Sequence, residues 1–155
     1  MISKNLYKKI QEVIPICCVD VVIKNDKKEL LLLKRKNEPA KGEWWIVGGR
    51  IKKGETLRKA VFRKVKEETG LNVVLKGILG VGPTVFKKGI FGQSVHTINI
   101  VFLTLAKRKD KIRLDSQSSD YKWFKKINRN WHPHLQKFLK LGLQAKRNLC
   151  FGRIG

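Results

Sequence analysis

The sequence has few acidic residues and no long apolar run. The first shortage favours a protein with anionic partners, and the second disfavours a membrane-inserted one. Asp and Glu number 12, against 35 Lys and Arg, so the formal net charge is +23. This balance favours polyanionic partners, among them nucleotides and nucleic acid. No apolar segment approaches the roughly 18 residues that cross a bilayer, and residues 1–13 lack the unbroken apolar stretch of a secretion signal. We therefore expect a cytoplasmic protein that is neither exported nor inserted in a membrane.

Cysteine is also scarce, and its spacing gives no sign of a disulfide framework or a metal site. Two of the three cysteines, Cys17 and Cys18, are adjacent within an apolar segment. No pair has the C-x-x-C spacing that is typical of metal ligands. We predict that the cysteines are reduced residues of the core.

The length and composition predict one packed domain over residues 1–155. Hydrophobic residues make up 42% of the chain, and no internal repeat, low-complexity tract or linker divides it. Helical and strand periodicities follow one another along the chain, which predicts a mixed α/β layer structure. We predict helices at residues 6–13, 56–69 and 134–143, and strands at residues 14–23, 29–35, 44–47, 72–81, 96–105 and 120–124.

Three carboxylates cluster around the predicted helix at residues 56–69. Glu68 lies within the apolar stripe of that helix, where a carboxylate needs a cation or a hydrogen-bond donor. Glu67 is its neighbour, and Glu55 precedes the helix. Gly48-Gly49 ends the strand before it and lets the backbone expose a carbonyl oxygen. Oxygen donors of this kind favour Mg²⁺, which in turn binds phosphate oxygens.

The same helix offers a simpler interpretation, in which its carboxylates form ion pairs. Glu67 follows Arg63, and Glu68 follows Lys64, each at the i,i+4 spacing of a helical ion pair. Spacing alone leaves both interpretations open.

Residues 49–71 resemble the Nudix box, G-x5-E-x7-R-E-U-x-E-E-x-G-U with U aliphatic, and the chain is identified as a member of the Nudix family. This resemblance implies an α/β/α sandwich with a mixed sheet and the Nudix loop-helix. It also implies hydrolysis of a nucleoside diphosphate derivative with Mg²⁺, or with Mn²⁺ in its place. Lys64 stands where the box has the first Glu of its R-E-U-x-E-E run, and a charged lysine cannot bind a metal, so we expect a single ion. The matching residues are Gly49, Glu55, Arg63, Val65, Glu67, Glu68, Gly70 and Leu71.

Outside the box, the chain is similar to the GDP-mannose mannosyl hydrolases, a branch of the family that also lacks that Glu. The likeness covers residues 5–125 and implies a nucleotide-sugar substrate, with GDP-mannose the best single candidate. The products would be the free sugar and a nucleoside diphosphate. The matching residues are Pro15, Asp20, Lys34, Arg35, Asn37, Pro39, Ala40, Gly42, Trp44, Gly48, Gly49, Arg50, Asp115, Gln117, Asp120, Tyr121 and Trp123.

The branch resemblance implies one Mg²⁺ and two phosphate-binding arginines. The carbonyl of Gly49, the carboxylate of Glu68 and the amide oxygen of Gln117 match the ligands of that ion. Arg35 and Arg50 match arginines that contact the diphosphate and the leaving group, where forked guanidinium donors suit phosphate oxygens.

The resemblance also implies roles around the sugar and the base. Asp20 matches a carboxylate near the sugar. Tyr7 matches an aromatic residue that approaches the base, within a segment exchanged between the subunits of a homodimer. Arg63 matches an arginine that orients carboxylates, with Glu55 as its expected partner. The structural alternatives are a surface Arg35, an Asp20 that caps a turn and a Tyr7 in the core.

Ser118 is the most serious departure, because the branch has a histidine there as its general base. Serine has no useful pKa near neutrality and cannot replace it. Glu67, a further acid and metal ligand of the ordinary Nudix site, and Asp20 are then the candidates that assist the water. His96 leads a predicted strand, and we expect it in the core rather than in the site.

Two other functions stay open at this point. One is a nucleotide pyrophosphohydrolase that cleaves P–O bonds in nucleoside triphosphates, dinucleotides or capped RNA. The other is a catalytically idle nucleotide- or RNA-binding module, suggested by Lys64 and by the 14 basic and 3 acidic residues of positions 107–155. No RNA-recognition motif accompanies that basic segment.

Overall fold

The structure is a computed structural model that describes residues 2–106 and 111–145. Each predicted helix and strand is present within these ranges. The elements are α1 (Lys4–Val13), β1 (Ile16–Lys24), β2 (Leu30–Arg35), β3 (Trp44–Trp45), β4 (Val47–Arg50), α2 (Leu57–Thr69), β5 (Val73–Phe86), β6 (Val95–Ala106), β7 (Ser118–Phe124) and α3 (Pro133–Gln144).

The strands form one mixed sheet with β1 near its centre. The order along the sheet is β3-β2-β1-β6-β5, while β4 also pairs with β1 and β7 also pairs with β2. Strands β1 and β6 run parallel, with Asp20 opposite Val101. The other pairings are antiparallel, including that of β1 with β4, which places Gly48 opposite Asp20. The sheet therefore brings Asp20 directly beside the glycine pair.

Alternation along β1 divides the molecule into three layers. Val21 packs into one core cluster with Val61 and Val65 of α2. Val22, the next residue, packs into a second cluster with Phe138 and Leu139 of α3. Because successive strand residues point to opposite faces, α2 and α3 cover opposite sides of the sheet. The predicted α/β/α sandwich is confirmed.

Helix α2 ends at the predicted residue and begins one residue after the predicted start, at Leu57. The side chain of Thr56 accepts a hydrogen bond from the backbone N–H of Lys59 at 3.3 Å and caps the helix start. Gly70 ends the helix with a left-handed backbone (φ 69°), which glycine adopts without steric cost. The caps fix the helix register and, with it, the side of the sheet that Lys64 and Glu68 face.

Three details differ from the predictions. The predicted strand at residues 44–47 is divided at Ile46 into β3 and β4. The prediction that the cysteines lie in the core is wrong for Cys17, which is exposed. The alternation of β1 that buries Cys18 turns its neighbour Cys17 outward. Cys150 lies outside the described residues. His96 is exposed as well, so its prediction as a core residue is also wrong.

Helix α1 has an apolar stripe but buries none of it. Leu6 is 52% exposed and Val13 is 77% exposed. The helix contacts β6 of its own chain. The exchange of this segment between the subunits of a homodimer stays a prediction. In the described part of the chain, no helix is long and apolar enough to span a membrane.

Candidate active site

A cavity of about 340 Å³ brings together most of the residues that the sequence singled out. Its wall includes residues of α1, β1, β2, β4, α2, β5 and β6 and the start of β7. Of the predicted site residues, those on the wall are Tyr7, Asp20, Arg35, Gly49, Arg50, Glu68 and Gln117.

Arg63 and Glu55 are not on the cavity wall, but they form an ion pair that contacts it through the backbone of Arg50. Arg63 donates to both carboxylate oxygens of Glu55, from Nε at 2.6 Å and from Nη2 at 2.8 Å. Its Nη2 also donates to the backbone carbonyl of Arg50 at 3.1 Å. The guanidinium lowers the pKa of Glu55 to about 2, with a further contribution from the backbone N–H of Lys52. Arg63 thus ties α2 to the end of β4 and contacts Glu55, the partner that the resemblance implies.

Lys64 places an ammonium group inside the carboxylate cluster. Its Nζ lies 2.6 Å from Oε1 of Glu68 and 3.5 Å from Oε2 of Glu67. The side chains of Lys64 and Glu68 are only 11% and 14% exposed. Burial raises the pKa of Glu68, an effect that Asp115 reinforces and that Lys64 and the backbone N–H of Gly48 oppose. The lysine therefore supplies the cation that a buried carboxylate needs.

Glu67 is not among the residues of the cavity wall, although it lies 3.5 Å from Lys64, which is. It is 45% exposed and accepts a hydrogen bond from Nη1 of Arg63 at 3.1 Å. Both ion pairs suggested by the i,i+4 spacing are therefore present, and Glu67 is not on the cavity wall.

The cavity wall carries oxygen donors of the kind that bind a hard cation. Within residues 2–106 and 111–145, no three His, Cys, Asp or Glu side chains converge as a metal site. Glu68 and Gly49 lie beside Lys64 on the wall, and the amide of Gln117 is on the same wall. A carboxylate, an amide oxygen and a backbone carbonyl are hard donors that suit Mg²⁺ or Mn²⁺.

Two arginines line the cavity from different elements. Arg35, at the end of β2, donates from Nε to the carbonyl of Pro39 at 2.6 Å. Burial lowers its pKa, while the nearby carboxylates of Glu68 and Asp20 raise it. The guanidinium of Arg50 lies over the ring of Tyr7, 4.4 Å from the ring centre. Arg35 is half-buried on the cavity wall, so the alternative of a surface arginine at this position is wrong.

Asp20 is held by residues that the sequence analysis missed. Its Oδ2 lies 2.8 Å from Nε2 of His134 on α3. Nδ1 of the same imidazole lies 3.0 Å from Oγ1 of Thr84, which accepts from Nδ2 of Asn99 at 3.0 Å. Asp20 lies within a strand, so the turn-capping alternative is wrong. Its position in an apolar strand was the available signal, since a buried carboxylate requires a donor and the chain has only three histidines.

Gly48 makes room for that carboxylate. A Cβ atom at this position would overlap Oδ1 of Asp20 and lie 2.8 Å from the carbonyl oxygen of Val19. The first glycine of the pair is thus required by the approach of β4 to β1.

Ser118 begins β7, and it is buried on the cavity wall. Its position on the wall does not make Ser118 a candidate general base, because a serine hydroxyl is not a base near neutral pH. Trp45 and Phe86 give the wall an aromatic part, with ring centres 5.2 Å apart.

Comparisons with known proteins agree with this architecture. The family model of the NUDIX domain matches residues 17–139. Low-salt glycan biosynthesis protein Agl8 of Haloferax volcanii is 34% identical over 131 residues, which cover 81% of this chain and 81% of that protein. ADP-ribose pyrophosphatase of Methanocaldococcus jannaschii is 44% identical over 91 residues, but the match covers 57% of this chain and 50% of that protein. The crystal structure of a MutT Nudix hydrolase from Burkholderia pseudomallei matches with a TM-score of 0.68 at 22% identity, covering 83% of this chain and 98% of that one, which concerns the fold alone.

Proposed function

The chain belongs to the Nudix family, and on that premise we propose that this hydrolase of a nucleoside diphosphate derivative acts on a nucleotide sugar. GDP-mannose or a close relative is the best single candidate. The observation that carries the proposal is the presence in one cavity of two arginines, Arg35 and Arg50, and the buried carboxylate of Asp20. Guanidinium groups suit a diphosphate, whereas a carboxylate suits sugar hydroxyls or a water molecule beside them. The glycan-biosynthesis name of the Haloferax relative supports a sugar-bearing substrate.

One Mg²⁺ would be held by Glu68, Gln117 and the carbonyl of Gly49, with Mn²⁺ as an alternative. When bound, the ion supplies positive charge to the diphosphate oxygens. Lys64 brings a second positive charge to the same carboxylate, at the position where the box has a Glu. In this proposal, the ammonium group of Lys64 takes the place of part of the positive charge that metal ions supply in the ordinary Nudix site.

Each of the other side chains on the cavity wall has its own role in the proposed reaction. Arg35 and Arg50 bind the diphosphate and neutralise the charge that develops on it as it departs. Tyr7, whose ring packs under Arg50, provides a surface for the base. We assign the activation of water to Asp20 rather than to Glu67, because Asp20 lies on the cavity wall and Glu67 is bound to Arg63 outside it.

Incubation of the protein with a panel of nucleotide sugars, ADP-ribose and nucleoside triphosphates in the presence of Mg²⁺ tests the proposal. We expect a free sugar and a nucleoside diphosphate from at least one nucleotide sugar. Arg35→Gln should lower kcat/KM by about 100-fold or more, since it removes charge stabilisation of the leaving group. Lys36→Gln, at the exposed neighbouring position, is the matched control.

A pyrophosphohydrolase is the second candidate, and the similarity to an ADP-ribose pyrophosphatase favours it. Water would then attack phosphorus, and the products would be a nucleoside monophosphate and a sugar phosphate. The appearance of these products in the same panel would replace the first proposal with this one.

A further inference from the structure

Four buried polar side chains form a continuous hydrogen-bonded series in the layer between the sheet and α3. Asp20, Thr84, Asn99 and His134 are each less than 8% exposed. The contacts run from Asn99 to Thr84, from Thr84 to His134 and from His134 to Asp20, at 3.0, 3.0 and 2.8 Å. A series of this length in an apolar layer is costly to bury unless each member is satisfied.

The direction of the hydrogen bonds follows from the end of the series at Asn99. Its Nδ2 contacts the carbonyl oxygen of Gly82 at 3.4 Å, an atom that can only accept, so the amino group faces this way. The same amino group lies 3.0 Å from Oγ1 of Thr84 and 3.0 Å from Oγ1 of Thr97, and an amide N–H₂ group cannot accept from either hydroxyl. The hydroxyl hydrogen of Thr84 is then left to donate to Nδ1 of His134. Nδ1 is therefore the acceptor, and Nε2 carries the imidazole proton that is donated to Asp20.

Aromatic side chains fix the imidazole in this orientation. The ring of Trp45 stacks on that of His134 with an angle of 3° between the planes, and the ring of Phe138 lies 4.9 Å away. His134 also lies in the first turn of α3, behind Pro133, where the backbone is held by the helix. The ring can therefore hold Oδ2 of Asp20 in one place.

The other carboxylate oxygen of Asp20, Oδ1, lies beside Gly48, and both residues are on the cavity wall. Oδ1 takes no part in the hydrogen bond from His134, which uses Oδ2. We propose that His134 is a positioning residue which, with Thr84 and Asn99 behind it, holds the carboxylate of Asp20 by Oδ2 and leaves Oδ1 to accept a proton from the attacking water. This inference rests on the proposed function and supplies the base that Ser118 cannot provide.

The step that this arrangement serves is balanced. A water molecule donates a proton to Oδ1 of Asp20 while its oxygen bonds to the anomeric carbon of the sugar. The bond between that carbon and the diphosphate oxygen breaks, and its electron pair leaves with the diphosphate beside Arg35 and Arg50.

Three variants test the positioning role. His134→Phe keeps the aromatic packing but removes the donor, and we expect kcat to fall about 10–100-fold with KM changed little. His134→Gln places an amide N–H near the position of Nε2 and should recover most of the loss. His96→Phe, the same substitution at an exposed histidine that is not on the cavity wall, is the control and should leave kcat unchanged. A His134→Phe variant with wild-type kcat, or a His134→Gln variant as slow as His134→Phe, would overturn the role.

A second measurement needs no substrate and separates this inference from the proposed function. In ¹⁵N-histidine-labelled protein, long-range ¹H–¹⁵N correlations at neutral pH should show His134 with a protonated Nε2 and an unprotonated Nδ1. A proton on Nδ1 would contradict the series. If the wild type released no sugar from any nucleotide sugar, the proposed function would be wrong, whereas the tautomer would still decide whether the series exists.

Discussion

Lys64 is the residue that most distinguishes this site from the Nudix box. A lysine in a cluster of carboxylates could disable a metal site, or it could take over part of the charge. Its contact with Glu68 at 2.6 Å, with both side chains nearly buried, favours the second interpretation. The two groups form a pair whose separation would leave a buried carboxylate without a partner.

Lys64→Met tests this account through stability. Removal of the ammonium should cost about 2–4 kcal/mol of unfolding free energy without metal, because Glu68 loses its cation. Millimolar Mg²⁺ should restore part of the melting temperature, and by more than it raises that of the wild type. Lys59→Met, the same substitution at an exposed position of α2, should show neither effect. Equal responses of the Lys64 variant and the wild type to Mg²⁺ would contradict the role of Lys64.

Glu55 contributes stability that depends on pH. Its pKa is about 2 in the folded protein, against an ordinary value of 4.5, so the ionised form is stabilised by folding. The contribution is fully present above pH 4.5 and is lost as the pH falls towards 2. Glu55→Gln should therefore cost about 1–3 kcal/mol at pH 7 and much less at pH 3. Thermal unfolding of both proteins at the two pH values measures this; a difference that is constant or larger in acid would show that Arg63 does not hold the carboxylate.

At the scale of elements, α1 serves the cavity rather than the core. None of its residues is buried, and Tyr7 reaches the cavity wall under Arg50. Tyr7→Ala should raise KM for a nucleotide substrate several-fold, while the melting temperature changes little, since the substitution opens no cavity in the core. Leu6→Ala, at a more exposed position of the same helix, is the control for both quantities. A drop in melting temperature with an unchanged KM would instead assign Tyr7 a structural role.

The sequence predicts most accurately those features whose signals lie in neighbouring residues of the chain. Helix α2 has its apolar stripe and the glycine that ends it, Gly70, close together in the sequence, so its bounds could be predicted to within one residue. The Nudix box is equally local, which is why Glu55, Arg63 and Glu68 could be singled out. His134 could not be assigned to Asp20 in the same way, because 114 positions separate them and the contact depends on how α3 packs on the sheet. The division at Ile46 likewise reflects the strands on each side, with β3 paired to β2 and β4 to β1.

At the scale of the whole molecule, the positive charge and the cavity favour the same kind of ligand. A net charge of +23 attracts anions over long range, and the cavity wall adds Arg35, Arg50 and Lys64. This charge does not decide between a nucleotide and RNA. A cavity with a buried carboxylate and two arginines on its wall favours catalysis over idle binding, and turnover is therefore the property to measure.

The most direct test of the account is hydrolysis of a nucleotide sugar in ¹⁸O-labelled water with Mg²⁺, with the products read by mass spectrometry. Attack on the anomeric carbon by a water held at Asp20 predicts one ¹⁸O atom in the released sugar and none in the nucleoside diphosphate. Asp20→Asn should slow the appearance of that labelled sugar. Label in a phosphate product would show attack on phosphorus and would contradict the central claim.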